Sequence, residues 1–258
     1  MKTIAIGDIH GNLTALNDLL SQLTPQLKVE DTVVFLGDYI DRGPETRGCI
    51  ERIIEFQSST PADVVTLFGN HEDWLLKTIH DPTRHSWILG MDAFPTIASY
   101  STDAVRELKA AMEDLGPTMF TERVELPYDM FLDELPESHL AFLTELVPYH
   151  RVDETVFVHA GVDPSAGPVE EQDVRTLAWG PDEFPERYGG SDLVIYGHWN
   201  NAVLDRDGWP APRFSENTIG IDTILARDIN GGRVTSTTNR AESSSRLSAI
   251  SPTRSPDY

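Results

Sequence analysis

The chain has 258 residues, enough for one large α/β domain with a well-buried core or for two small ones. Its 42 acidic residues against 20 basic ones leave a net charge of −22. That balance argues against nucleic acid or an anionic membrane as partner, since both need a basic face. A single cysteine, Cys49, excludes an internal disulfide framework and fits a reducing compartment. With no signal peptide and no long apolar run, a soluble cytoplasmic protein is expected.

The first predicted strand, Thr3–Ile6, runs into Gly7-Asp8-Ile9-His10-Gly11. Asn12 then suits the N-cap of a helix with Leu13, Leu16, Leu19, Leu20 and Leu23 on one face, closed by Pro25. A second apolar run, Thr32–Leu36, delivers Gly37-Asp38-Tyr39-Ile40-Asp41-Arg42-Gly43. Pro44 follows, near the first turn of a helix whose apolar face includes Ile50, Ile53 and Ile54. The third run, Val64–Phe68, leads into Gly69-Asn70-His71-Glu72. This β-α-β-α-β order implies a parallel sheet covered by helices. The opening glycines Gly7, Gly37 and Gly69 are 30 and 32 residues apart, about one crossover unit each.

Residues 72–151 form a long insertion with helical patterns at Asp73–His80, Asp103–Leu115 and Pro136–Val147. Trp74, Trp87, Phe94 and Tyr100 lie among them. Connections of this length are usually functional, so the insertion reads as a helical cap beside the active site; a packing layer on the outer face is the other reading. His80, His85, His139 and His150 lack ligand-like neighbours and read as surface or satisfied histidines. Beyond it, short strands are predicted at Thr155–Val158, Leu193–Tyr196, Ala202–Leu204, Thr218–Ile221 and Arg233–Thr237, which suggests a second, mixed sheet packed on the first. The domain is expected to end near residue 238, with 239–258 a disordered Ser, Arg, Pro and Thr tail.

The chemistry lies at the strand ends. Two further apolar runs end like the first three, in His159-Ala160-Gly161 and in Gly197-His198. An ion-paired surface turn accounts for one such loop, but not for five that deliver Asp, His or Asn to the same edge of a sheet. Asp8, His10, Asp38, Asn70, His159 and His198 mix carboxylate, imidazole and amide donors. That mixture suits a borderline ion such as Mn²⁺, Fe or Zn²⁺ rather than a calcium cage or a thiolate site. Six donors exceed what one ion with an open position needs. They suit two ions about 3.5–4 Å apart, bridged by Asp38, which lower the pKa of bound water and clamp a phosphoryl oxygen.

In this order and spacing, GDIHG, GDYIDRG, GNHE, HAG and GH resemble the phosphoprotein phosphatase family of metallophosphoesterases, over about residues 1–238. The resemblance implies a four-layer α/β/β/α sandwich and two divalent ions, Mn²⁺ foremost. Asp8 and His10 would hold the first ion, Asp38 would bridge, and Asn70, His159 and His198 would complete the second. Hydroxide between the ions would attack phosphorus in line. His71 would protonate the leaving oxygen, Asp41 would orient it, and Arg42 would grip the phosphate together with Asn70.

This chain departs from the family twice. Phe68 stands where many members carry arginine before the GNHE glycine, and Leu177–Phe184 reads LAWGPDEF with Pro181 at another arginine position. Arg84, Arg175, Arg187 and Arg213 are the candidate replacements. The expected function is a protein serine/threonine phosphatase acting on a phosphoprotein. The alternative is a symmetrical dinucleoside tetraphosphatase acting on a nucleotide. Such tetraphosphatases commonly lack the second aspartate of the GDxxDRG string, which is present here as Asp41. An inactive regulatory module would have lost a ligand or the acid, and all are present.

Overall fold

The computed structural model describes residues 1–199, 211–223, 236–240 and 248–250. Its first sheet has the order β10-β9-β1-β2-β3, from β1 (Lys2–Ile6), β2 (Thr32–Phe35), β3 (Asp63–Thr66), β9 (Ser236–Arg240) and β10 (Ser248–Ile250). Strands β1, β2 and β3 are parallel, and β9 lies antiparallel to β1. The second sheet runs β4-β5-β6-β8-β7, from β4 (Tyr149–Val152), β5 (Thr155–Val158), β6 (Leu193–Tyr196), β7 (Arg213–Phe214) and β8 (Thr218–Gly220). Here β5, β6 and β8 are parallel, with antiparallel edges.

Period-two alternation sorts the side chains into layers. Ala5, Val34, Leu36 and Leu67 of the first sheet meet Phe157, Ile195, Ile219 and Ile221 of the second in an apolar interface. Their neighbours Ile4, Ile6, Val33 and Phe35 point the other way, onto the helices. Val156, Val158, Val194 and Tyr196 face outward from the second sheet onto Val169, Leu177 and Phe184. Hence two sheets lie back to back with helices outside, the mixed α/β sandwich expected.

The first helical layer follows its sequence signals. Helix α1 (Leu13–Leu23) buries Leu16, Leu19, Leu20 and Leu23, and the Asn12 side chain accepts the Ala15 N–H at 3.1 Å. Helix α2 (Thr46–Ser59) buries Ile50 and Ile53 and begins two residues after Pro44. The long insertion folds as α3 (Asn70–His80), α4 (Ser86–Gly90), α5 (Phe94–Tyr100), α6 (Thr102–Leu115), α7 (Thr118–Thr121), α8 (Asp129–Leu132) and α9 (Glu137–Thr144). Of these, α5 and α9 pack on α2. Trp87, Ile97, Leu108 and Phe131 are fully or almost fully buried in the same core as α1 and α2. The insertion is therefore continuous with the outer helical layer. Helix α10 (Val174–Trp179) packs against α3 near the second sheet.

The strand predicted at Ala202–Leu204 lies outside the described residues, and the one at Arg233–Thr237 is described only from Ser236. Strands β9 and β10 draw on residues from Asn239 onward that read as a structureless tail; β9 pairs with β1 and β10 with β9. No helix among the described residues is long and apolar enough to cross a membrane.

Candidate active site

Five loops meet at the carboxyl ends of β1, β2, β3, β5 and β6. They are stitched together by backbone bonds: Ile9 and His10 N–H donate to the Asp38 carbonyl, Gly11 N–H to that of Tyr39, and Gly197 N–H to that of His159. His10, Asp38, Asp41, Arg42 and His198 all have positive φ, between 47° and 68°. Side chains rarely adopt that region, at a cost of about 1–2 kcal/mol each, and such residues cluster where surrounding structure holds function in place. Gly37 (φ 109°) needs glycine twice over, because a Cβ there would sit 2.8 Å from His159 Nδ1.

Asp38 is the centre of the cluster. One of its carboxylate oxygens lies 3.6 Å from His10 Nε2 and 3.8 Å from His71 Nε2; the other lies 3.3 Å from His159 Nε2. Two donor groups share it: His10, Asp38 and His71 in one, Asp38, His159 and His198 in the other. The Asn70 carbonyl is 2.9 Å from both His159 Nε2 and His198 Nδ1. Asp8 lies 3.9 Å from His10 Nε2 and accepts the His198 backbone N–H. His10 Nδ1 donates to Ile40 O at 2.8 Å, which leaves its Nε2 lone pair turned into the site; His159 Nδ1 donates to Leu36 O at 2.8 Å, and its Nε2 donates to Asn70 Oδ1.

These residues suit divalent ions. His10 Nε2 is buried with no hydrogen-bond partner, as an imidazole awaiting a cation would be. Burial, then the neighbouring His71, lowers the pKa of His10; burial and His159 bring His198 down to about 3. Both are thus neutral, the form that ligates a metal. Burial raises the pKa of Asp8, and the Asp222 and Asp38 charges raise it further. Burial also opposes ionisation of Asp38, but the charges of His159 and His71 outweigh it and hold its carboxyl well below the usual range. Burial pulls the His159 pKa down, but the Asp38 charge and hydrogen bond prevail and raise it to about 9, so His159 supplies beside Asp38 the positive charge that a divalent ion would bring.

Beside this cluster stands an acid–orienter pair. His71 Nδ1 donates to Asp41 at 2.7 Å, and its Nε2 lies 3.3 Å from Arg42 Nη2. Burial pulls the His71 pKa down, but the Asp38 charge and the Asp41 hydrogen bond prevail and raise it. Asp41 is completely buried and also accepts from Trp87 Nε1 (2.9 Å) and Thr96 Oγ1 (2.8 Å). Arg42 N–H donates to Asp92 O, so the long insertion underpins this part of the site as well.

The structure thus brings Asp8, His10, Asp38, Asp41, Arg42, Asn70, His71, His159 and His198 into one site. Asn70 and His71 lie in the first turn of α3, where the sequence suggested a loop. Glu72 and Thr96 were not singled out beforehand, and Trp87 was read only as an aromatic of the insertion. Glu72 accepts the backbone N–H groups of Asp38, Tyr39 and Ile40 at 2.9–3.3 Å; burial and the Asp38 charge push its pKa up to about 7. Trp87 and Thr96 hold Asp41. Glu72 sits inside the GNHE string and could have been flagged, whereas Trp87 and Thr96 carry no local signal. Among the histidines read as non-ligands, His85 bonds Tyr128 and Val124, and His139 bonds Tyr100. Of the candidate arginines, Arg187 pairs with Glu183 and Arg213 with Glu186, whereas Arg84 and Arg175 line a pocket beside α3.

Residues 1–201 match the family described as Calcineurin-like phosphoesterase. The chain belongs to that family. This phosphoesterase is 34% identical to the symmetrical bis(5'-nucleosyl)-tetraphosphatase of Pectobacterium atrosepticum, over 86% of this chain and 87% of the relative. It is 26% identical to the asymmetrical bis(5'-nucleosyl)-tetraphosphatase PrpE of Bacillus mycoides, over 91% of this chain and 89% of that one. Its fold is shared with the cold-active protein-tyrosine phosphatase of a Shewanella species, with a TM-score of 0.56 at 14% identity over 98% of this chain and 80% of the other. It is therefore a metallophosphoesterase hydrolase whose aspartates and histidines fit the divalent metals of the family.

Proposed function

We propose that this phosphoesterase hydrolyses dinucleoside polyphosphates. The observation that carries the choice is the 34% identity to a bis(5'-nucleosyl)-tetraphosphatase across nearly the whole of both chains. The sequence alone favoured a protein serine/threonine phosphatase on the strength of Asp41. That preference gives way, because the named relatives act on nucleotides and the likeness to a protein phosphatase extends to the fold alone.

In this reading Asp8 and His10 would hold one ion, Asn70, His159 and His198 the other, and Asp38 would serve both. Divalent ions held there would supply activated water and neutralise phosphoryl charge. Water oxygen bonds to phosphorus as the bridging P–O bond breaks, and that bond's electron pair leaves with the departing nucleotide. His71 Nε2 faces the site and hands its proton to the leaving oxygen, while Asp41 fixes the ring through Nδ1 and stabilises its charged form. Arg42, half-buried and next to His71 Nε2, is placed to hold a non-bridging oxygen.

Incubation of the purified protein with Mn²⁺ and diadenosine tetraphosphate, with products separated by chromatography, tests the proposal. Two ADP per substrate mark central cleavage, whereas ATP plus AMP mark asymmetrical cleavage; either supports it. Turnover of a phosphoserine peptide with the nucleotide left intact would overturn it and restore the phosphatase reading.

A further inference from the structure

Helix α3 carries more than Asn70 and His71. Continuing along it, Trp74, Lys77 and Thr78 line a pocket of about 200 Å³ completed by Arg84, Ser86, Arg175 and Trp179. At 1.5 Å per residue, Trp74 and Lys77 lie roughly 6 and 10 Å along the helix from Asn70, one to two turns from the metal donors. Trp74 and Trp179 form an aromatic wall with ring centroids 5.0 Å apart and planes tilted by 47°. Asp73 ties the wall together, accepting from Trp179 Nε1 at 2.9 Å and from Lys77 Nζ at 2.6 Å. Arg84 rests 3.5 Å from Asp81, which Arg123 also pairs at 2.7 Å; Arg175 makes no ion pair with any other described residue. Three cations therefore surround one small aromatic pocket on a chain whose net charge is −22.

This combination recognises one kind of ligand. Indoles offer stacking surface to a nucleobase, whichever base it is, and guanidinium and ammonium groups bind phosphate. We propose that the pocket is the subsite for a nucleoside phosphate arm of the substrate, with the base against Trp74 and Trp179 and the distal phosphates on Arg84, Arg175 and Lys77. The inference rests on the dinucleoside polyphosphate reading above and says where that substrate's specificity resides. It also accounts for Phe68 and Pro181. With phosphate charge gripped along α3, arginines at those two positions are dispensable.

The test is calorimetric titration of ADP into the Mn²⁺-loaded protein, for the parent and for the Arg84→Ala/Arg175→Ala double variant. Both arginines are exposed, so their removal leaves the core intact. ADP affinity is expected to fall by about ten-fold or more, the usual worth of charged hydrogen bonds to phosphate. Trp74→Leu should weaken ADP by roughly ten-fold through lost stacking. The KM for diadenosine tetraphosphate should rise more than that for a small aryl phosphate. ADP that fails to bind the parent, or binds the double variant as tightly, overturns the subsite. A parent that cleaves no dinucleotide yet shows arginine-dependent ADP binding removes the substrate reading and leaves the subsite standing. Cleavage with unchanged ADP affinity does the reverse.

Discussion

At the scale of single residues, Asp41 shows how a buried carboxylate is put to use. It has no exposure to water, so each of its oxygens must be satisfied by protein, and His71, Trp87 and Thr96 do this. Because the Asp38 charge and then the Asp41 hydrogen bond raise the His71 pKa against the pull of burial, the proton needed for leaving-group departure is retained to higher pH. Activity that requires that proton falls as pH rises through this pKa. Asp41→Asn removes the charge, lowers the His71 pKa and should move the falling alkaline limb of kcat/KM to lower pH; a limb that stays put would contradict the role. His71→Asn should cut turnover of alkyl phosphates by about 10²–10⁴, the range for lost general acid catalysis. A substrate whose leaving group is itself a nucleotide phosphate needs less protonation and should suffer less. Trp87→Phe leaves Asp41 one donor short and should cost about 1–3 kcal/mol of stability, read by denaturant unfolding. Of these groups, Asp41 and His71 were legible in the sequence because they sit inside short motifs. Trp87 and Thr96 were not, since 46 and 55 residues of chain separate them from Asp41.

At the scale of elements, α3 organises the site. Its first turn supplies Asn70 and His71, and the His71 backbone N–H donates to Asp38 at 3.2 Å. Glu72 in the same turn gathers three N–H groups of the loop after β2, which is how that loop sustains left-handed backbone at Asp38. Glu72→Gln retains one amide oxygen to accept and brings an NH₂ against donors. It is expected to loosen the loop and weaken metal binding by about 10–100-fold, as changes behind a ligand commonly do. Titration with Mn²⁺ checks this, and unchanged affinity would show that the loop holds without Glu72. The strands after which the ligands come were readable from their β-branched runs and terminal glycines. Antiparallel β4 (Tyr149–Val152) was not, because its register partner β5, rather than its own half-buried side chains, defines it. The long insertion was open to two readings, a cap beside the active site or an outer packing layer; its Trp87 and Tyr100 are buried in the helical core, while Trp74 lines the pocket beside the site.

For the whole molecule, two sheets packed through Ala5, Val34, Phe157 and Ile195 bring ligands from distant parts of the chain to one edge. His159 and His198 come from the second sheet, Asp8, His10 and Asp38 from the first, and Asn70 from the helix after it. At this junction Asp38 is placed to serve two ions, since both donor groups share it. Metal analysis of the parent and of Asp38→Asn by mass spectrometry tests it most directly. Two ions per chain in the parent, with both sites depleted in Asp38→Asn, are the predicted result. A variant that loses one ion and keeps the other at full occupancy would contradict it.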